Sequence, residues 1–127
     1  MKDLVLEEIE RHCGKVEWMP GFGHCFMLNQ TLCLYMYCKN IGSMRFVIPS
    51  LLTAESDNMD EIMELVNQAN REVKYIKTTI LDNGCLTLTY DHKMVTGEKP
   101  EDIVPHIIKA LAFASEYIKN KILCLKD

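Results

Sequence analysis

Several features that often indicate a function are missing from this sequence. It has no long run of lysine and arginine, and its formal net charge is −4, whereas proteins that bind nucleic acid usually present a basic face. The same shortage argues against binding to an anionic membrane surface. No apolar stretch approaches the length of a membrane-spanning helix. We therefore expect neither a nucleic acid nor a membrane as a partner.

The cysteines do not form a pattern that indicates a metal site. Six occur in the chain, but none is arranged as a Cys-x-x-Cys pair, the common unit of zinc sites and redox motifs. The first residues alternate acidic and apolar side chains and lack the continuous apolar centre of a secretory signal peptide. The sequence therefore predicts reduced thiols, a cytoplasmic location and no bound metal or other cofactor.

The sequence that remains is typical of one folded domain. It has 127 residues, of which 48% are hydrophobic and 25% are charged, which is the ordinary composition of a globular protein. A chain of this length can bury a core of its own, so we predict a single domain over residues 1–127.

The spacing of apolar residues predicts the order of the elements. Helical spacing occurs in residues 3–13, 58–73 and 100–121, and shorter alternating segments between them are typical of strands. The predicted order is helix, three or four strands, helix, two strands, helix. Because no strand–helix–strand unit requires parallel pairing, we predict an α+β fold with three helices and an antiparallel sheet of about five or six strands.

Two local patterns predict where a helix begins and where a hairpin turns. Asn58 and Glu61 have the spacing of a capping box at the start of the second helix. The Asn83-Gly84 pair readily adopts the positive φ angles of a two-residue type I′ turn. We therefore predict that the segments directly before and after this pair form a hairpin.

The sheet is predicted to have two largely apolar faces. In residues 31–38, neighbouring side chains alternate between the faces, so Cys33, Tyr35 and Tyr37 share one side and mostly apolar residues share the other. An antiparallel sheet covered by helices on one side normally has a polar second face. A second apolar face indicates a contact with another chain or a cover formed by a loop such as residues 49–56.

We place the predicted contact surface on one side of this strand and of the later hairpin. With a two-residue turn, that side of the hairpin is β-branched and semi-polar, unlike a core or a solvated surface. The predicted interface residues are Cys33, Tyr35, Tyr37, Ile76, Thr78, Ile80, Thr87 and Thr89.

The sequence contains no set of residues that defines a catalytic centre. The acidic pairs lie in predicted helices, and two of them favour helix starts. The glycines at positions 21 and 23 lack the third glycine of a dinucleotide-binding loop. A cysteine and a histidine that are distant in sequence could still meet in the fold. We predict no catalytic residues.

The segment between residues 67 and 77 resembles a known family. Asn67, Asn70, Lys74 and Lys77 form an Asn-x-x-Asn-x-x-x-Lys-x-x-Lys pattern where the second helix gives way to a strand. Together with the order of elements over most of the chain, this pattern resembles the YbjN family, whose fold is similar to that of the type III secretion chaperones. The resemblance implies a non-enzymatic bacterial protein that forms a homodimer and holds or regulates another protein or an extended peptide segment.

Two other features bear on this resemblance. A strand that ends in proline, Phe46-Val47-Ile48-Pro49, also matches the family. The early hairpins depart from it, because family members often carry several acidic residues there, whereas this chain is apolar and rich in cysteine and methionine. The departure concerns the same part of the sheet for which we predict an apolar second face.

The four motif residues also have a structural interpretation, which we favour. Asn67 and Asn70 lie on one helical face and can form hydrogen bonds to the start of the next strand. Lys74 suits the negative end of a helix. With this interpretation the motif fixes the fold, and the binding surface lies elsewhere.

The main hypothesis from the sequence is a dimeric, chaperone-like or regulatory protein-binding module. One alternative is a small-ligand-binding protein or a thiol-dependent enzyme that uses Cys25, Cys33 or Cys38. A second alternative is a structural domain within a larger assembly.

Overall fold

The computed structural model describes residues 2–126 of the chain, with the side chains of residues 4–124. It has three helices and an antiparallel sheet, which confirms the predicted α+β fold and its order of elements. The elements are α1 Lys2–Cys13, β1 Glu17–Met19, β2 Gly23–Leu28, β3 Thr31–Cys38, β4 Ser43–Thr53, α2 Met59–Glu72, β5 Lys77–Ile80, β6 Cys85–Lys93 and α3 Pro100–Lys126.

All six strands belong to one sheet, in the order β1-β2-β3-β4-β6-β5. The first four strands follow one another as neighbours along the chain. The helix α2 separates β4 from the second group of strands in the sequence, and β6 returns to pair with β4. The outermost strands are therefore the short β1 and β5.

All three helices pack on one face of the sheet and enclose the core with it. The helix α2 buries Ile62, Leu65, Val66 and Ala69, which recur at helical spacing and form one apolar stripe. The core residues of neighbouring strands are paired directly opposite each other. Because directly paired residues share one face of a sheet, the core residues of the sheet all lie on one side of it. The opposite side of the sheet carries no helix in the described part of the chain.

The start of α2 differs from the predicted capping box. Asn58 precedes the helix, but its side chain makes no capping hydrogen bond. Its Oδ1 atom instead accepts a hydrogen bond of 2.8 Å from the backbone N–H of Glu55. The N–H of Asn58 also donates to the carbonyl oxygen of Glu55 at 3.1 Å. The predicted capping box is wrong, because the turn before the helix engages the amide that would have capped it.

The loop between β5 and β6 also differs from the prediction. The N–H of Leu81 donates to the carbonyl oxygen of Cys85 at 2.9 Å, which leaves Asp82, Asn83 and Gly84 as the loop. Only Gly84 of these three has a positive φ, of 89°, whereas a type I′ turn requires two such residues. The Asn83 side chain accepts a hydrogen bond of 3.0 Å from the N–H of Cys85. The predicted two-residue turn is therefore wrong.

Because of this longer loop, the side chains of β5 lie on the faces of the sheet opposite to those predicted. Thr78 lies opposite Leu88, and Ile80 lies opposite Leu86. Directly paired residues share one face of a sheet, and both leucines are fully buried in the core. A one-residue change of register moves every side chain of a strand to the other face. Thr78 and Ile80 therefore face the helices.

Replacing Gly84 with alanine should destabilise the fold. A Cβ atom at this position would lie 2.6 Å from the carbonyl oxygen of Ala54, and alanine disfavours a positive φ by about 1–2 kcal/mol. We expect Gly84→Ala to lower the free energy of unfolding by at least about 2 kcal/mol, measured by urea denaturation. Gly97→Ala is the matched control, because Gly97 has a φ of 94° but no neighbour within 4 Å. An equal loss in both variants would contradict the role of the Ala54 contact.

Candidate functional site

The side of the sheet opposite the helices is the most unusual surface of the protein. Register places alternate residues of β2, β3, β4 and β6 on this side. We call this surface the open face. Its cysteine and apolar members are Cys25, Met27, Leu32, Leu34, Met36, Cys38 and Val47.

The centre of the open face is apolar and partly shielded by its own side chains. Met27 is 50% exposed, and Leu32 and Met36 are each 38% exposed. Cys25 and Leu34 are only 5% and 7% exposed, although no helix of the described residues covers them. The result is a contiguous apolar patch of the kind that monomeric proteins usually cover.

One charged pair lies within this patch. Arg45 and Asp91 are directly opposite each other on β4 and β6. The Arg45 guanidinium donates two hydrogen bonds to the Asp91 carboxylate, of 2.6 Å from Nε and 3.0 Å from a terminal nitrogen. The hydrogen bond and the charge of Asp91 raise the pKa of Arg45. Both side chains are about half exposed, so they can also contact a second molecule.

A shallow depression opens beside this ion pair. Its volume is about 390 Å³, and its walls combine apolar side chains with the two charges. The lining residues are Met36, Tyr37, Cys38, Ile41, Ser43, Arg45 and Asp91. Because the depression is wide and shallow, it suits a side chain of another protein better than an enclosed substrate.

The structure reverses the predicted sides of β3. Cys33 and Tyr35 have no exposed surface, and Tyr37 packs against the same core. The Tyr35 ring lies 5.1 Å from the Phe46 ring, measured between centroids. The alternation along β3 follows the prediction, but these three residues face the helices. Both sides of the strand are apolar, so the sequence did not distinguish the side that the helices cover.

The predicted residues of the second hairpin are divided between the two faces. Ile76 and Thr78 are 4% and 2% exposed, and Ile80 packs against the core, so the prediction that they form an outer contact is wrong. Thr87 and Thr89 lie on the side of the open face. Thr87 is nevertheless buried, and its Oγ1 donates to the carbonyl oxygen of Pro49 at 3.0 Å. Ile80 and Thr89 are the partly exposed members of these five residues, and of the two only Thr89 lies on the side of the open face.

The three cysteines considered for catalysis lie in different environments. Burial raises the pKa of the Cys33 thiol, so its reactive thiolate form is disfavoured. Cys25 is buried on the open face, whereas Cys38 is exposed at its border. The thiols of Cys25 and Cys33 donate to backbone carbonyl oxygens of Gly23 and Leu34. The thiols of Cys25 and Cys33 therefore have little or no access to a substrate in solvent.

Asn70, one of the four motif residues, binds the backbone of an edge strand. Its side-chain amide donates to the carbonyl oxygen of Thr78 at 2.8 Å, and its Oδ1 accepts from the N–H of Thr78 at 2.8 Å. Both backbone groups of Thr78 therefore point away from β6, toward the unpaired edge of the sheet. The Asn70 amide takes the place that a neighbouring strand would occupy. This geometry matches the structural interpretation of the motif.

The other three motif residues make no comparable contact. Asn67, Lys74 and Lys77 are exposed, and they form no ion pair or side-chain hydrogen bond within the described side chains. Lys77 lies opposite Thr89 at the border of the open face. Lys74 lies on the other side, beside α3. The structure thus separates the two lysines.

No protein-family model matches the chain, and no curated protein sequence matches it.

The described residues include no group of three or more histidine, cysteine, aspartate and glutamate side chains that could hold a metal ion. Between residues 2 and 126, no helix is both long and apolar enough to cross a membrane.

Removing the Asn70 side chain should weaken the fold more than removing that of Asn67. Asn70→Ala leaves the N–H and carbonyl oxygen of Thr78 without their side-chain partner, which should cost about 1–2 kcal/mol of the free energy of unfolding. Asn67→Ala removes an exposed amide of the same helix and should change it by less than about 0.5 kcal/mol. Urea denaturation of both variants measures the difference. Similar losses in the two variants would show that the Asn70 hydrogen bonds do not contribute.

Proposed function

We propose that this protein is a non-enzymatic, homodimeric protein-binding module of the bacterial cytoplasm, chaperone-like or regulatory in its action, and that it belongs to the YbjN family. The observation that carries the proposal is the open face, an apolar sheet surface without a covering helix. Such a surface is best buried against another protein chain. The pattern formed by the four motif residues and the order of elements support the family assignment.

A second copy of the chain is a suitable occupant of the open face. In a two-fold symmetric contact, each copy uses the same surface, so that surface must be complementary to itself. Arg45 and Asp91 meet this requirement because they are adjacent and of opposite charge. Each can face the oppositely charged residue of the second copy, while the apolar side chains around them are removed from water. Burial of apolar surface is then the main favourable contribution to association.

The composition of the patch favours binding over catalysis. Met27 and Met36 are unbranched and flexible, and such side chains adapt to partners of different shape.

Cys33 has no access to solvent, and its pKa is raised by burial, so it is unsuited to act as a nucleophile. Cys38 is exposed but lies in a shallow depression. We therefore place the thiol-dependent enzyme second to the protein-binding module.

Charge introduced into the open face should dissociate the dimer. We expect the unmodified protein to be a dimer at micromolar concentration by multi-angle light scattering, and the double variant Met27→Glu, Met36→Glu to be a monomer. Met63→Glu is the matched control, because Met63 is 45% exposed but lies on α2, away from the open face. A monomeric unmodified protein, or a double variant that remains dimeric, would contradict the proposal.

Opposite charge reversals test whether Arg45 and Asp91 meet across the two-fold axis. Arg45→Asp leaves two acidic side chains in the patch, and Asp91→Arg leaves two basic ones. Each variant should therefore dimerise more weakly than the unmodified protein, by roughly tenfold in Kd. A mixture of the two should form a heterodimer in preference to either homodimer. Native mass spectrometry of the mixture measures this, and a statistical distribution of species would mean that the pair acts only within one chain.

A further inference from the structure

A second candidate site lies on the helix side of the protein, between the segment that follows α2 and the helix α3. It is an open groove of about 410 Å³, so a ligand there would keep part of its surface in solvent. We call it the junction groove. Its main lining residues are Glu72, Lys74, Tyr75, His106, Lys109 and Phe113.

Aromatic rings form one part of the junction groove. The Tyr75 ring stacks on Tyr90, with centroids 6.1 Å apart and an angle of 23° between the planes. His106 packs edge-on against Tyr75, with a centroid distance of 5.2 Å. These contacts hold the Tyr75 ring in place, yet Tyr75 is 66% exposed and Phe113 is 62% exposed. Two large rings are therefore available for contact with a ligand.

The backbone at this point favours a functional rather than a purely structural role for Tyr75. Its φ is 71°, in the left-handed region that aromatic residues rarely adopt. Such a conformation costs of order 1 kcal/mol, and it persists where the surroundings enforce it. Asparagine or glycine would suit this position better. A tyrosine here carries a backbone cost while leaving most of its side chain in solvent.

The charges around the junction groove favour an anion. Lys74 and Lys109 are exposed, and neither forms an ion pair with any side chain between residues 4 and 124. Glu72 also lines the groove, but its carboxylate accepts hydrogen bonds from the Tyr117 hydroxyl and from the Gln68 amide. Two lysines thus outnumber one acid in a protein whose net charge is −4. An anionic ligand in the groove would therefore be attracted by two lysines that have no ion-pair partner among the described side chains.

We propose that the junction groove binds a small, flat aromatic anion, such as an aromatic carboxylate or phosphate. The ring of the ligand contacts Tyr75 and Phe113, and its acidic group pairs with Lys74 and Lys109. Aromatic side chains favour planar ligands through stacking and edge contacts, and lysine ammonium groups favour carboxylate and phosphate. This site is on the helix side and does not depend on the dimer contact at the open face.

Two probes with the same ring system, one anionic and one neutral, test this proposal. Binding of 2-naphthoate and of its neutral analogue 2-naphthamide can be followed by backbone amide shifts in NMR titrations. We expect 2-naphthoate to shift the amides around Tyr75, His106 and Lys109, and to bind roughly fivefold more tightly than 2-naphthamide because of the two lysines. The double variant Lys74→Ala, Lys109→Ala should abolish this preference. Its matched control is Lys77→Ala, Lys93→Ala, which removes two exposed lysines from strands β5 and β6.

Ring-removing variants test the aromatic contacts separately. Tyr75→Asn suits the positive φ while deleting the ring, and Phe113→Ala alters only an exposed position of α3. Both variants should weaken binding of both probes, without changing the preference for the anion. Equal affinity for the two probes, no binding of either at millimolar concentration, or amide shifts confined to the open face would each overturn the proposal.

Discussion

The pairing of β4 with β6 is the interaction on which the rest of the structure depends. It joins residues that are between 32 positions apart, as in Thr53 opposite Cys85, and 50 positions apart, as in Ser43 opposite Lys93. Without it, the four-stranded segment β1–β4 and the β5–β6 hairpin would be separate pieces with incomplete cores. The same pairing places Arg45 beside Asp91 and extends the open face from the first group of strands to the second. The core and the candidate contact surface therefore arise from one set of backbone hydrogen bonds.

The end of this pairing is fixed by contacts that are not local in sequence. The N–H of Ala54 donates to the carbonyl oxygen of Gly84 at 2.7 Å, where only glycine leaves room for the approaching backbone. The register shift between Ile48 and Leu52 then fits the longer strand β4 to β6. These two features fix the register between β4 and β6, which decides the residues of β6 that face the helices. The length of the loop at Asp82–Gly84 then fixes the register between β6 and β5, and with it the side on which each β5 residue lies.

The sequence predicted the order of the elements but missed the contacts of Asn58 before α2, the length of the loop before β6 and the sides of the strands. The order of elements follows from local periodicity, and it agrees with the structure. The Asn83-Gly84 pair correctly indicated a hairpin, but it is compatible with loops of different length. One residue of difference reversed the faces of Thr78 and Ile80. This error was not correctable from the pattern, because β5 has few strongly apolar residues.

The candidate sites show the same division. The apolar second face could be predicted from the alternation in β3, but the assignment of its sides could not, because Tyr35 and Met36 are both compatible with a core. The junction groove left no pattern in the sequence, since Tyr75 and His106 are brought together only when α3 packs beside α2. The two surfaces lie on opposite sides of the sheet. A partner at the open face therefore leaves the groove accessible to solvent.

The hydrogen bonds between Asn70 and Thr78 have a consequence for the addition of strands at the edge of the sheet. An edge strand is a template on which further strands can add without limit, as in fibrils. Here a side-chain amide fills the template position at Thr78, and an incoming strand would have to displace it. The opposite edge is β1, which is only three residues long. The sheet thus has one edge where a side chain occupies the pairing groups of Thr78 and another edge that is only three residues long, so neither edge offers a long template for a further strand.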